Sequence, residues 1–210
     1  MAKIQPLPLP AAASSPPSCS PSGDERRSLQ KQAEYTVWMK SLVFNGNGCT
    51  VYGADGGVAF RVDNYGCRGG REVFLMDRAG KTLIRVQRKG LPGVFRRWEA
   101  CRCSDDGEET TTPWFRVQKM GAGKNGATVT MTHHVSGGSG PAYTIQGCTG
   151  KSGYQVTGAG GAVAAAVEQK RTPSGVALGD DVLTLAVGAG TDHLLALGLV
   201  VICGLMNRCL

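Results

Sequence analysis

Residues 85–98 read RVQRKGLPGVFRRW and set Arg85, Arg88, Lys89, Arg96 and Arg97 around a turn holding Gly90, Pro92 and Gly93, with no acid among the basic positions of the turn. A guanidinium grips two phosphate oxygens at once and an ammonium acts as a point charge, so this spacing suits the chelation of phosphate-bearing partners. Lys81 stands just upstream. The six residues Lys81, Arg85, Arg88, Lys89, Arg96 and Arg97 are therefore candidate contacts for anionic phospholipid or phosphoinositide headgroups, where each basic residue near a charged leaflet contributes about 1 kcal/mol. Residues 61–102 as a whole carry eleven basic side chains against four acids, so the excess of positive charge is concentrated here. The competing reading is a solvated basic edge that keeps the strands from pairing with other chains.

Other residue patterns offer less. Nucleic acid is the rival anionic partner, and Phe95 and Trp98 flank the arginine pair as stacking groups would, but no helix-turn-helix, zinc-finger or RNP pattern accompanies them. Gly150-Lys151-Ser152 ends like a phosphate-binding loop, yet Ile145 stands where its first glycine is required. His133 and His134 are adjacent, hence on opposite faces of a strand, and Cys101 and Cys103 lack a second ligand pair at zinc spacing. Asp180 and Asp181 read as turn residues entering a strand. No catalytic residue, metal site or cofactor is implied, and the expectation is a non-enzymatic protein.

The elements that must position these side chains are mostly strands. From Tyr35 onward short β-branched and aromatic runs alternate with clusters of Gly, Asn and Asp, as in hairpin-linked antiparallel sheets. Val58, Phe60 and Val62 share one face of such a run while Arg61 and Asp63 take the other, and Leu183, Leu185 and Val187 repeat the pattern. Candidate strands start near residues 35, 50, 58, 72, 82, 94, 114, 128, 143, 154, 162 and 182, about twelve in all by pattern.

Residues 194–206 carry no polar side chain. As a helix they reach roughly 20 Å, short of the roughly 30 Å of a bilayer core, and Asp192, His193, Asn207 and Arg208 bound them on either side. A helix apolar all round needs a wall of protein, and a barrel of more than about eight strands leaves a lumen for it. The central helix is expected over about 192–206, capped by Thr191 or Asp192, with Gly198 and Gly204 permitting close approach of the wall.

The segments TVWMKSLVFNGNGCTVY, FRVDNY, EVFLMDRAGKTL, RWEA, PWFRV, GDDVLTLAV and DHLLALGLVVICGLMN occur in this order and spacing. In them the chain resembles the plant LURP-one-related family over about residues 35–207. The resemblance implies a tubby-like fold, a closed antiparallel barrel of twelve strands around a buried hydrophobic C-terminal helix, related also to phospholipid scramblases. It further implies a role in plant defence or signalling and, through the tubby proteins, membrane tethering by phosphoinositides. A scramblase-like lipid-handling protein and a nucleic-acid-binding transcription regulator are the alternatives. No phosphoinositide-contacting motif of the tubby proteins matches here residue by residue.

Composition fits this picture. Residues 1–34 are rich in Pro, Ala and Ser without apolar periodicity and are expected to form a disordered arm, leaving 35–210 as the barrel domain. The chain holds 23 Lys and Arg against 16 Asp and Glu, a net charge of +7 that favours an acidic partner. Eight cysteines follow no framework spacing and no signal-peptide core precedes them, so reduced thiols and a cytoplasmic location are expected, peripheral at the plasma membrane or nuclear, as a monomer.

Overall fold

The computed structural model describes residues 31–40, 47–64, 72–90, 97–104, 112–121, 124–132, 141–148 and 153–207. Twelve antiparallel strands close into one barrel: β1 (Lys31–Trp38), β2 (Asn47–Tyr52), β3 (Val58–Asn64), β4 (Glu72–Asp77), β5 (Thr82–Lys89), β6 (Arg97–Arg102), β7 (Phe115–Lys119), β8 (Gly126–Met131), β9 (Tyr143–Gln146), β10 (Gly153–Gly158), β11 (Val163–Gln169) and β12 (Val182–Gly188). Each strand pairs with the next in sequence, and β1 closes the circle on β12. A single helix, α1 (His193–Met206), fills the lumen.

Alternation writes this architecture. Every strand turns one set of side chains inward: Val37, Val51, Val62, Leu75, Ile84, Val86, Ala100, Phe115, Val117, Ala127, Val129, Ile145, Val156, Val167, Leu185 and Val187 are all buried. The helix residues from Leu195 to Gly204 are buried without a break, so α1 has no wet face and the barrel supplies its solvent. Each buried Leu, Ile or Val contributes about 2 kcal/mol relative to exposure, which makes rod and wall mutually dependent.

The rod is fixed at both ends. Asp192 caps it, its carboxylate accepting from the backbone N–H of Leu194 (2.8 Å) and Leu195 (3.3 Å). Arg102 at the end of β6 pairs with the same carboxylate while its guanidinium lies 3.8 Å from the centre of the Trp114 ring. Tyr35 Oη and His193 Nδ1 sit 2.7 Å apart. At the far end the Asn207 backbone N–H donates to the Cys203 carbonyl at 3.0 Å, and the Asn207 side-chain amide donates to the Cys148 carbonyl.

Gly198 shows why a small residue is needed inside. A Cβ there would stand 3.0 Å from Phe115 Cζ and 3.5 Å from Ile84 Cδ1, both atoms of fully buried side chains. Alanine ordinarily gains about 1 kcal/mol over glycine inside a helix, but overpacking a dense core costs roughly 1–3 kcal/mol. Gly198→Ala is therefore expected to lower stability by about 1 kcal/mol, read as a lower urea midpoint. A rise would mean that the wall yields.

Several boundaries differ from the sequence expectation. The expected arm ended at residue 34, but β1 begins at Lys31, because Lys31–Glu34 pair with the end of β12 although no apolar pattern marks them. Residues 1–30 lie outside the described residues, as do His133, His134 and Gly150–Ser152. The expected strand near 94 is observed from Arg97. Among the described residues, Cys101, Cys148 and Cys203 form no disulfide.

Candidate functional site

The meander gives the barrel two chemically distinct ends. Because β12 leads into α1, the connections β2–β3, β4–β5, β6–β7 and β10–β11 lie at the end where the helix starts. The connections β1–β2, β5–β6, β7–β8, β9–β10 and β11–β12 lie where it finishes. The Arg102–Asp192 pair marks the first end and the Asn207–Cys148 bond the second.

The predicted site residues separate on this frame. Lys89, the last residue of β5, and Arg97, the first of β6, are register partners and both exposed, at the helix-C-terminal rim. Arg85 lies on the same outer face farther up β5, 3.5 Å from Glu72. Arg88 alternates onto the other face, as register partner of the buried Trp98. Lys81 precedes β5 at the opposite end, roughly 25 Å of extended chain from Lys89. Arg96 lies outside the described residues. The structure thus brings Lys89 and Arg97 together, keeps Arg85 and Arg88 nearby, and does not bring Lys81 to them.

Two acids, Glu72 and Glu99, enter the wall beside these residues. Glu99 is buried between Arg97 (3.0 Å) and Arg116 (3.1 Å), and Glu72 also accepts from the Gln87 amide. Arg85, Arg97 and Arg116 are held in fixed poses by these carboxylates, so their charge is partly spent within the wall. The Trp98 indole N–H is buried without a hydrogen-bond partner among the described residues, and Trp98 is only 4 % exposed, which removes it as a stacking platform for a nucleobase.

Sequence proximity missed two further cations. The β7–β8 hairpin carries Lys119 and Lys124 to the rim beside β6, and both are exposed. Among the described residues no carboxylate pairs with Lys89, Lys119 or Lys124, so an edge running from β5 to β8 presents Lys89, Arg97, Lys119 and Lys124 to solvent. The signal was the turn MGAGKNG following VQK, which announces a hairpin whose two sides must meet. Beneath this rim lies Cys148, its thiol drawn down to about 7 by the hydrogen bond with Cys203 above all, against burial and with help from the charge of Lys119. The hydrogen bond with Cys148 above all, and then burial, push Cys203 up.

Farther around the rim, Lys40 pairs with Asp181 at 3.0 Å, and the Trp38 indole donates to the same carboxylate at 3.1 Å. The Asp181 carboxyl is held below the usual range, first by the Lys40 hydrogen bond, with burial opposing and Trp38 assisting. A carboxylate with a lowered folded pKa stabilises the fold above its unfolded value and loses that contribution as pH falls through the folded one. Asp181→Asn is accordingly expected to be less stable than the native chain at neutral pH, the gap between their urea midpoints closing as pH drops below about 4.

Among the described residues no helix is long and apolar enough to cross a membrane, and no group of three or more His, Cys, Asp or Glu is placed to hold a metal ion. The barrel matches a crystal structure of an Arabidopsis thaliana protein with a TM-score of 0.58 at 14% identity, over 86% of this chain and 95% of that one, which speaks for the fold alone. Similarity in sequence is closer. Protein LURP-one-related 11 of Arabidopsis thaliana is 37% identical over 182 residues, covering 84% of this chain and 79% of that protein. Protein LURP-one-related 3 from the same plant is 35% identical over 179 residues, covering 81% and 78%. The family model described as LURP-one-related matches residues 33–204, from within β1 through most of the central helix, and the chain belongs to that family.

Proposed function

We propose that this protein is a non-enzymatic signalling protein of plant defence that attaches peripherally to membranes by holding anionic phospholipid headgroups, phosphoinositides foremost, at the helix-C-terminal rim. The observation that carries the reading is the exposed edge of Lys89, Arg97, Lys119 and Lys124 across the neighbouring strands β5, β6 and β7 and the turn into β8, the three lysines without a carboxylate partner among the described residues. At about 1 kcal/mol per basic residue near an anionic leaflet, four such residues supply roughly 4 kcal/mol, enough for reversible, salt-sensitive attachment. The opposite end balances Asp55, Asp77 and Asp192 against Arg78, Lys81 and Arg102 among the described residues, so it offers an anionic surface no comparable field.

Vesicle co-sedimentation tests the reading. Binding is expected to phosphatidylcholine vesicles that contain a phosphoinositide, to weaken as salt is raised, and to fall when Lys89, Arg97, Lys119 and Lys124 become Ala. Equal binding to pure phosphatidylcholine, or an unchanged quadruple variant, would refute it.

A further inference from the structure

The β11–β12 connection is not a plain turn. Arg171 and Ala177 form an isolated antiparallel bridge, the Thr172 N–H donates to the Val176 carbonyl at 2.8 Å, and the Gly175 N–H donates to the Thr172 carbonyl at 2.8 Å. The Val176 N–H is further held by Thr172 Oγ1 at 3.1 Å, and Arg171 Nη1 donates to the Gly175 carbonyl at 2.9 Å. Gly175 at φ +85° closes the tip. The result is a small ordered hairpin standing on the rim, and on it Val176 is 62 % and Leu178 51 % exposed, the exposed large hydrophobic residues among those described.

Two aliphatic side chains held out into water by a rigid scaffold cost free energy that a floppy loop could avoid by folding them under. Their surroundings narrow the choice of partner. Lys170 and Arg171 form the hairpin's stem; Lys170 turns back along the wall to donate to Thr36 Oγ1, while Arg171 is exposed, donates to the Gly175 carbonyl and pairs with no carboxylate among the described residues. The two acids that follow are engaged, Asp180 by Gln169 and Asp181 by Lys40 and Trp38. Aliphatic residues at a tip with a long cationic side chain at its base suit the boundary between headgroups and acyl chains, where the cation reaches back to phosphate. A protein interface would want a wider apolar core than two side chains.

Position adds a second constraint. In the closed strand order β11–β12 lies diametrically across from β5–β6, yet both connections belong to the same rim. For twelve strands the two features stand roughly 20 Å apart, so a flat, extended partner meets both at once and a small ligand or short peptide does not. We propose that the β11–β12 hairpin is a membrane-insertion element, Val176 and Leu178 entering an anionic bilayer while the exposed Arg171 holds headgroup phosphate. This rests on the membrane attachment proposed above and adds to it a hydrophobic contact on the far side of the rim.

The test uses the full chain with phosphatidylcholine vesicles containing phosphatidylserine or a phosphoinositide. Val176→Asp with Leu178→Asp should weaken binding at least tenfold while leaving the circular dichroism spectrum unchanged, since both side chains are exposed. Leu178→Trp should gain fluorescence quenching from brominated acyl chains beyond that of the three native tryptophans, whereas Ala159→Trp, in the β10–β11 turn at the opposite end, should gain none. If the native chain binds and either the double variant binds equally or Leu178→Trp is not quenched, insertion is overturned while attachment through the lysine edge stands. Failure of the native chain to bind anionic vesicles overturns both. A concentration-dependent dimer that the double variant abolishes would assign the patch to a second copy of the chain and overturn insertion as well.

Discussion

Ile202→Asp is expected to yield a chain that does not fold. Ile202 is fully buried near the middle of α1, within an unbroken buried run from Leu195 to Gly204. Removing its side chain alone costs about 2–5 kcal/mol, and an unpaired carboxylate in that lumen adds several more, against a total stability of roughly 5–15 kcal/mol for a domain of this kind. The rod has no dry alternative, since every face of it is enclosed. Leu178→Asp, at an exposed position, is the matched control and should leave the urea midpoint within about 0.5 kcal/mol of native. A soluble Ile202→Asp protein with native β signature would mean that the barrel stands without its centre.

The second large effect is on binding. Lys89→Glu combined with Lys124→Glu changes the rim by four units of charge and breaks no ion pair among the described residues, so stability should hold. With about 1 kcal/mol for each unit near an anionic leaflet, the loss is about 4 kcal/mol, or roughly three powers of ten in vesicle affinity at low salt. Arg78→Glu with Lys81→Glu makes the same charge change at the opposite end, and vesicle affinity should scarcely move. An equal loss in both variants would show that net charge, and not the rim, governs attachment.

The fold was legible because its two periodicities are clean. Val62 is buried and Phe60 packs against the core on the alternation expected of β3, and Leu185 and Val187 do the same on β12 with Leu183 beside them. The all-apolar run 194–206 pointed to a lumen, and α1 occupies it from His193 to Met206. The start of β1 was hidden because hydrogen bonding to β12 decides it, and a residue such as Glu34, on the outer face, gives no apolar signal.

The candidate site was less legible, for a geometric reason. Residues 81–97 are close in sequence, but one strand of a barrel spans from rim to rim, so Lys81 and Lys89 belong to opposite ends. Alternation then turns Arg88 away from Lys89. Neighbourhood on a sheet is set by register across strands, which brings Gln118 to Arg97, Arg116 to Glu99 and Glu72 to Gln87 from positions a linear window does not join. Lys119 and Lys124 joined the edge by the same rule. An acid buried between two arginines, as Glu99 is, leaves no trace in composition.

Amide hydrogen exchange of the full chain, with and without phosphoinositide-containing vesicles, tests the proposed membrane-facing rim most directly because every backbone N–H reports without a label. Slowed exchange is predicted at the helix-C-terminal rim, in Lys119–Gly121, Lys124–Gly126 and residues 170–178, with no change at Gly53–Gly57, Arg78–Lys81 or Ala159–Gly161 at the opposite end. Protection confined to that opposite end, or to neither end while the protein is bound, would contradict the account.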